Sequence, residues 1–197
     1  MINIKLKDYD DMAKVAKILH GKCHISRGLQ FQKSVYDVIN NSGIHNEVKH
    51  EFVIKLPKGE QRKNTHSIDI VIIDKNSVRA YDSKGKSFNA TQDPKNVLDE
   101  YNKYVGILKE MFPDKEVTYG ILKEDLDSSS KPPSDRYSYF EDNGIEVLDT
   151  YKFISDNYGV GRNELTEQIH NDIYNIVSDK LIEDGITNYD NNKSKDR

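Results

Sequence analysis

Apolar residues recur along this chain at two different spacings, and the change between them predicts where helices and strands lie. Spacings of three and four residues indicate helices, whereas alternation and β-branched runs indicate strands. Helices are predicted at about 11–19, 29–41, 94–111 and 165–181. Strands are predicted at about 48–56, 67–73, 78–83, 117–122 and 144–148. A helix, a three-strand meander, a helix and a strand in that order predict an α/β fold, with a mixed central β-sheet flanked by helices.

Length and composition predict one globular domain. The 197 residues are enough for a single well-buried core. We expect a domain over 1–185 with its core at about 29–122, and an Asn/Asp/Lys-rich, disordered tail at 186–197. No apolar run approaches the roughly 20 residues of a membrane span, and the N-terminal segment has no secretory pattern. A single cysteine, Cys23, fits a reducing compartment, so a cytoplasmic protein is expected.

The charge of the chain argues against one class of DNA-binding protein. A net charge of -4 does not fit a protein held to DNA by bulk attraction. A basic patch nevertheless lies between Lys49 and His66, where five Lys or Arg residues accompany two Glu residues. On charge alone, an ordinary solvated hairpin is favoured over a phosphate-binding surface as the explanation of this patch.

Two of the predicted strands each carry an acid within apolar surroundings. Asp69 interrupts the run Ser-Ile-Asp-Ile-Val-Ile-Ile, and Asp82 closes Val-Arg-Ala-Tyr-Asp. A buried acid is unfavourable unless it is paired or binds a cation. The turn predicted at 74–76 brings the two strands side by side. The acids lie six and seven residues from the centre of this turn, so they can face the same end of the sheet. Strand alternation places Lys84 on the same face as Asp82.

These residue types suit the hydrolysis of phosphate esters. Two converging carboxylates are ligands for a hard cation such as Mg²⁺, which polarises a phosphoryl oxygen and activates water. The ammonium group of Lys84 adds positive charge where the transition state accumulates negative charge. A buried Asp–Lys ion pair in an ordinary sheet is the structural alternative, because an Asp-x-Lys tripeptide is by itself a weak signal.

The pattern Ile68-Asp69 followed by Asp82-Ser83-Lys84 resembles the PD-(D/E)xK nuclease superfamily. The resemblance covers roughly residues 29–122 and is one of pattern and element order. It implies a restriction-endonuclease-like core in which Asp69 and Asp82 bind Mg²⁺ and Lys84 positions or activates water. It also implies that the carbonyl oxygen of Ser83 is a further metal ligand. The proline that precedes the first acid in many members is Ile68 here.

Many members of the superfamily also carry a Glu on the first helix. The matching position here is Gln32, which would orient a metal-bound water but is a poorer ligand, so the number of metal ions stays open. Glu47 and Glu51, on or near the first strand, are possible substitutes. A solvent-facing helix residue is the alternative interpretation of Gln32.

Two segments carry side chains suited to contact DNA. One is the basic hairpin, with donors for phosphates and base edges: Lys55, Lys58, Arg62, Lys63 and Asn64. The other is a polar loop expected at about 127–139.

The resemblance, the size of the chain and the accessory segments favour a type II restriction endonuclease. Such a subunit works as a homodimer on palindromic double-stranded DNA, beside a cognate DNA methyltransferase. One alternative is a structure-specific repair or recombination nuclease, although these tend to be basic throughout. A catalytically inactive nuclease-fold module that binds DNA is a weaker alternative, because the Asp, Asp and Lys are all present.

Overall fold

A computed structural model of the protein describes residues 28–57, 64–84, 93–124 and 135–183. The chain divides into two compact units, one formed by residues 1–31 and 166–197 and the other by residues 32–165. The second unit contains the whole β-sheet and the residues of the candidate site. The helix expected at 11–19 and the tail at 186–197 lie outside the described residues. No helix in the described part of the chain is both long enough and apolar enough to cross a membrane.

The order of the described elements follows the predicted order through the first four strands. The first helix, α1, spans 28–41. The next elements are β1 (Glu47–Lys55), β2 (Thr65–Ile73), β3 (Ser77–Lys84), α2 (Pro94–Met111) and β4 (Glu116–Lys123). The remainder comprises α3 (Asp135–Asp142), β5 (Glu146–Asp149), α4 (Thr150–Tyr158) and α5 (Arg162–Glu183). Helices α3 and α4 were not expected, and α3 corrects the loop predicted at about 127–139, since residues 135–139 are helical.

The five strands form one mixed sheet, in the order β1-β2-β3-β4-β5. The first three strands are a meander of antiparallel pairs, whereas β4 lies parallel to β3 and β5 lies parallel to β4. A tight turn joins β2 to β3, and in it the backbone N–H of Asp74 donates to the carbonyl of Ser77 at 2.9 Å. The parallel pairing of β3 and β4 requires a crossover, which α2 provides. The prediction of an α/β fold with a mixed sheet flanked by helices is therefore confirmed.

Helix α2 supplies much of the core on one face of the sheet. It begins at Pro94, after an N-cap in which the Asp93 side chain accepts from the backbone N–H of Lys95. Its buried side chains recur at spacings of three and four: Val97, Leu98, Tyr101, Tyr104 and Leu108. They pack with side chains of the strands into one hydrophobic cluster. This packing sets the aromatic surroundings of the candidate site.

Candidate active site at the open end of a hairpin

The two acids predicted as a site lie where the ladder between β2 and β3 ends. The last paired residues are Ile70 and Tyr81, and one further step in that register places Asp69 opposite Asp82. Beyond this point the backbone N–H of Ser83 donates to Oδ2 of Asp69 at 2.7 Å. A side-chain carboxylate thus takes the position of a backbone carbonyl in the ladder. The hairpin brings the two acids together at its open end.

Lys84 lies beside Asp82, two residues along β3. Its Nζ atom is 3.2 Å from Oδ2 of Asp82. The carboxylate is buried, with Asp82 only 4% exposed, whereas the side chain of Lys84 is 29% exposed. The ammonium group therefore connects a buried acid with the surface.

The electrostatics of the acid pair are unfavourable in the absence of a cation. Burial and the negative charge of Asp82 raise the pKa of Asp69 from 3.8 to about 6, although the Ser83 N–H and Lys84 partly offset them. The charge of Glu51 adds a smaller rise to the same pKa. Above pH 6 the ionised Asp69 is repelled by its acidic neighbours, and a cation held between the carboxylates would remove that repulsion.

The oxygen atoms available here fit a hard divalent cation. In a β-strand the N–H and C=O groups of one residue point to the same side, so the carbonyl of Ser83 faces Asp69, as its N–H does. Two carboxylates and a carbonyl are the oxygen ligands that Mg²⁺ takes, with water completing its shell. Within the described residues no group of three or more Asp, Glu, His or Cys side chains is placed to hold a metal ion. A cation at this site would therefore depend on the carbonyl and on water.

A buried aromatic layer lies under Asp82. Tyr101 and Tyr119 stack with ring centroids 5.0 Å apart, and His66 stacks on Tyr104 at 4.0 Å. After burial, the charge of Asp82 is the next largest cause of the raised pKa values of Tyr101 and Tyr119. Burial likewise lowers the pKa of His66, with Asp82 and Lys84 acting on it in opposite directions. Helical spacing predicted Tyr101 and Tyr104 only as core residues, and no sequence signal separated Tyr119 from its apolar strand.

The first helix and the first strand carry the other predicted candidates for the site, Gln32, Glu47 and Glu51. Gln32 is only 8% exposed, so it is not the solvent-facing residue of the alternative interpretation. Within the described residues, no hydrogen bond joins it to Asp69 or Asp82. Glu47 is paired with Lys49 at 2.5 Å. Glu51 has a positive φ of 51° and is left out of the β1–β2 ladder, but the pairs on either side of it, His50 with Ile70 and Phe52 with Ile68, place it opposite Asp69.

The predicted DNA contacts are only partly described. Lys55 ends β1 and is exposed, as is Asn64 before β2. The backbone of Asn64 closes the hairpin, because its carbonyl accepts from the N–H of Leu56 at 3.0 Å. Lys58, Arg62 and Lys63 lie outside the described residues.

A second polar cluster lies at the turn end of the same hairpin. Nδ1 of His45 is 3.1 Å from Asp74, and Nε2 is 2.9 Å from the hydroxyl of Tyr158. Arg79 donates to the same Asp74 at 3.1 Å. A cavity of about 520 Å³ opens nearby, lined by Ser77, Arg79, Tyr81, Glu116, Thr118, Glu146, Leu148 and Phe153. The candidate acids do not line it.

Comparisons with known proteins identify no family. No protein-family model matches the chain, and no curated protein is significantly similar in sequence. A solved structure titled "Crystal Structure of Protein of Unknown Function AF1548" is similar at 13% identity, with a TM-score of 0.43. The alignment covers 80% of this chain and 79% of that protein.

Proposed function

We propose that this chain is a Mg²⁺-dependent endonuclease of the PD-(D/E)xK type that hydrolyses phosphodiester bonds in DNA. The observation that carries the proposal is the placement of Asp69, Asp82 and Lys84 at the open end of the β2–β3 hairpin. There a like-charged carboxylate pair is held together next to a partly exposed ammonium group. Such a raised-pKa acid with a specific charged neighbour is typical of functional sites.

The order of elements supports the same assignment. The succession α1-β1-β2-β3-α2-β4 agrees with the helix, three strands, helix and strand expected of a restriction-endonuclease-like core, with Asp69 in the middle of β2 and Asp82 near the end of β3. In this assignment α1 carries Gln32, whose burial agrees with a helix that turns this residue inward. Gln32 then assists by orienting water, while Glu51 is the acid of the first strand placed opposite Asp69.

The roles follow from the chemistry of the side chains. Asp69, Asp82 and the carbonyl of Ser83 would hold Mg²⁺, which when bound polarises a phosphoryl oxygen and lowers the pKa of a bound water. Lys84 supplies a positive charge to the phosphorane-like transition state. The side chain of Lys84 is partly exposed. Its Nζ atom can therefore move from Asp82 to a bound substrate without passing through the core.

The substrate we propose is a short palindromic site in double-stranded DNA, cleaved by a homodimer as in type II restriction. Two identical active sites related by a two-fold axis match the symmetry of a palindrome. The exposed Lys55 and Asn64, together with Lys58, Arg62 and Lys63, supply phosphate and base contacts. A cognate methyltransferase would protect the host site in the cytoplasm.

Digestion of plasmid DNA tests the proposal. Purified protein with Mg²⁺ should convert a supercoiled plasmid into a fixed set of fragments, and excess EDTA should prevent this. A smear, or cleavage of branched substrates alone, would assign the chain to the repair or recombination class. No cleavage of plasmid, linear, branched or single-stranded DNA with Mg²⁺ or Mn²⁺ would refute the proposed activity.

A further inference from the structure

A buried hydroxyl near Asp82 has no partner at regular hydrogen-bond geometry in the described part of the chain. Tyr119 is 2% exposed, and its hydroxyl is unpaired by that criterion, although hydrogen bonding to Asp82 is among the causes that raise its pKa. Burying a hydroxyl without a partner is unfavourable, and such groups are rare in well-packed proteins. The position of this one therefore requires a reason other than packing, which a phenylalanine would satisfy.

The pairing of β3 with β4 places the side chain of Tyr119 near Asp82. The parallel register of β3 and β4 pairs Ala80 with Tyr119 and Asp82 with Ile121. Tyr119 is thus the diagonal neighbour of Asp82 on the same face, within reach of a long aromatic side chain. Stacking on Tyr101, with ring centroids 5.0 Å apart, fixes the direction of the ring.

The carboxylate of Asp82 has an acceptor to match this donor. Its Oδ2 atom is paired with Nζ of Lys84 at 3.2 Å, and hydrogen bonding to Asp82 is among the causes that raise the pKa values of both Tyr119 and Tyr101. The pKa of Tyr119 lies well above its usual value, through burial and then the charge of Asp82. The phenol therefore keeps its proton near neutral pH and is available as a donor.

We propose that Tyr119 is a positioning residue for Asp82, whose hydroxyl donates to Oδ1 and holds the carboxylate in its ligand-binding orientation. A small rotation of the carboxylate about the Cβ–Cγ bond closes this hydrogen bond. The hydrogen bond from Tyr119 to Oδ1 then keeps the carboxylate in this orientation when Lys84 leaves Oδ2 for the substrate. The binding of metal by that carboxylate rests on the proposed function, whereas the contact between the two side chains does not.

A double-mutant cycle in metal-free buffer tests the contact. Tyr119→Phe is compared in the wild-type and Asp82→Ala backgrounds by urea denaturation, with Asp82→Leu as a second background without an acceptor if Asp82→Ala does not fold. We expect the shift in denaturation midpoint caused by Tyr119→Phe to differ between the backgrounds. Tyr151→Phe is the matched control, because its buried hydroxyl lies 3.4 Å from Glu124 instead, and its shift should be the same in both. Equal shifts for Tyr119→Phe in both backgrounds would overturn the inference.

A metal titration tests the positioning role. Removing a group that orients a metal ligand typically weakens metal binding by about 10-fold or more. Tyr119→Phe should therefore raise the Mg²⁺ concentration at half-maximal thermal stabilisation about 10-fold, with KM for DNA nearly unchanged, and Tyr151→Phe should not. An unchanged Mg²⁺ requirement in Tyr119→Phe would refute the positioning role. Wild-type protein that cleaves no DNA would refute the proposed function, and the metal-free cycle would still decide the contact.

Discussion

Replacing Asp69 by Asn is expected to abolish cleavage and yet stabilise the fold at neutral pH. The pKa of Asp69 rises from 3.8 to about 6 on folding. A difference of one in pKa between the folded and unfolded states corresponds to about 1.36 kcal/mol. The ionised carboxylate therefore lowers the free energy of unfolding by up to about 3 kcal/mol above pH 6. An asparagine removes this charge and keeps an oxygen that accepts from the Ser83 N–H. Since the neutral oxygen makes a weaker hydrogen bond, the net gain should be about 1–2 kcal/mol.

The pH dependence of the free energy of unfolding tests independently whether the charge of Asp69 stabilises or destabilises the fold. An acid with a higher pKa in the folded state binds its proton more tightly there, so its contribution to stability falls as the pH rises. For Asp69 the fall begins near its unfolded pKa, about 4, and ends just above its folded pKa of about 6. The difference in the free energy of unfolding between wild type and Asp69→Asn should grow across this pH range and stay constant above it.

Urea denaturation in EDTA at pH 4.5, 6 and 7.5 measures both effects, and plasmid digestion measures activity. Mg²⁺ should raise the stability of the wild type more than that of the variant, because the cation relieves the repulsion that the variant lacks. An Asp69→Asn protein that is less stable than wild type at pH 7.5 would contradict this account. It would favour the structural alternative, in which the acids and Lys84 form an ordinary buried ion-pair network.

Four further predictions concern the proposed chemistry and assembly. Asp82→Ala and Lys84→Ala should each remove cleavage with circular dichroism unchanged, and full activity in either would refute the assignment of these residues. Cleavage should require Mg²⁺ or Mn²⁺, while Ca²⁺ should support DNA binding in gel shifts with little cleavage, because it accepts looser geometry; robust cleavage in excess EDTA would exclude a metal mechanism. Gln32→Ala should lower the cleavage rate without altering the fragment pattern, and an unchanged rate would remove Gln32 from the site. Light scattering should give twice the 22.7 kDa chain mass, and a monomer would contradict the homodimer.

The strands and the long helix were predictable because their signals are local. The β-branched run Ser-Ile-Asp-Ile-Val-Ile-Ile marks β2, and the prolines at 94 and 113 bracket α2. Helix α4 was missed because it has nine residues and begins directly after β5, so its apolar spacing merges with that of the strand. Its ends are set by single residues, with Asp149 as N-cap and Gly159 in the left-handed region as C-cap.

The candidate acids were predictable for a different reason, namely the arithmetic of a tight hairpin. A turn at 74–76 brings Asp69 and Asp82 to the same end of the hairpin, six and seven residues from its centre, whereas the exact register that places them opposite each other is seen only in the structure. The register between β3 and β4 depends on a crossover of 31 residues between Lys84 and Glu116, and no local pattern determines it. The neighbourhood of Tyr119 and Asp82 therefore became visible only in the folded chain, as did the placement of Glu51 across from Asp69.

The two ends of the β2–β3 hairpin show why the open end is the better candidate for function. At the turn, hydrogen bonds from His45 and Arg79 outweigh desolvation and lower the pKa of Asp74, so the charge stabilises the fold. At the open end, burial and a second acid raise the pKa of Asp69, so the charge opposes folding. A chain selected for stability alone has no reason to keep an acid of the second kind, because a neutral side chain would be better there. An acid that is retained against its own contribution to stability is expected where a bound cation or a reaction requires the charge.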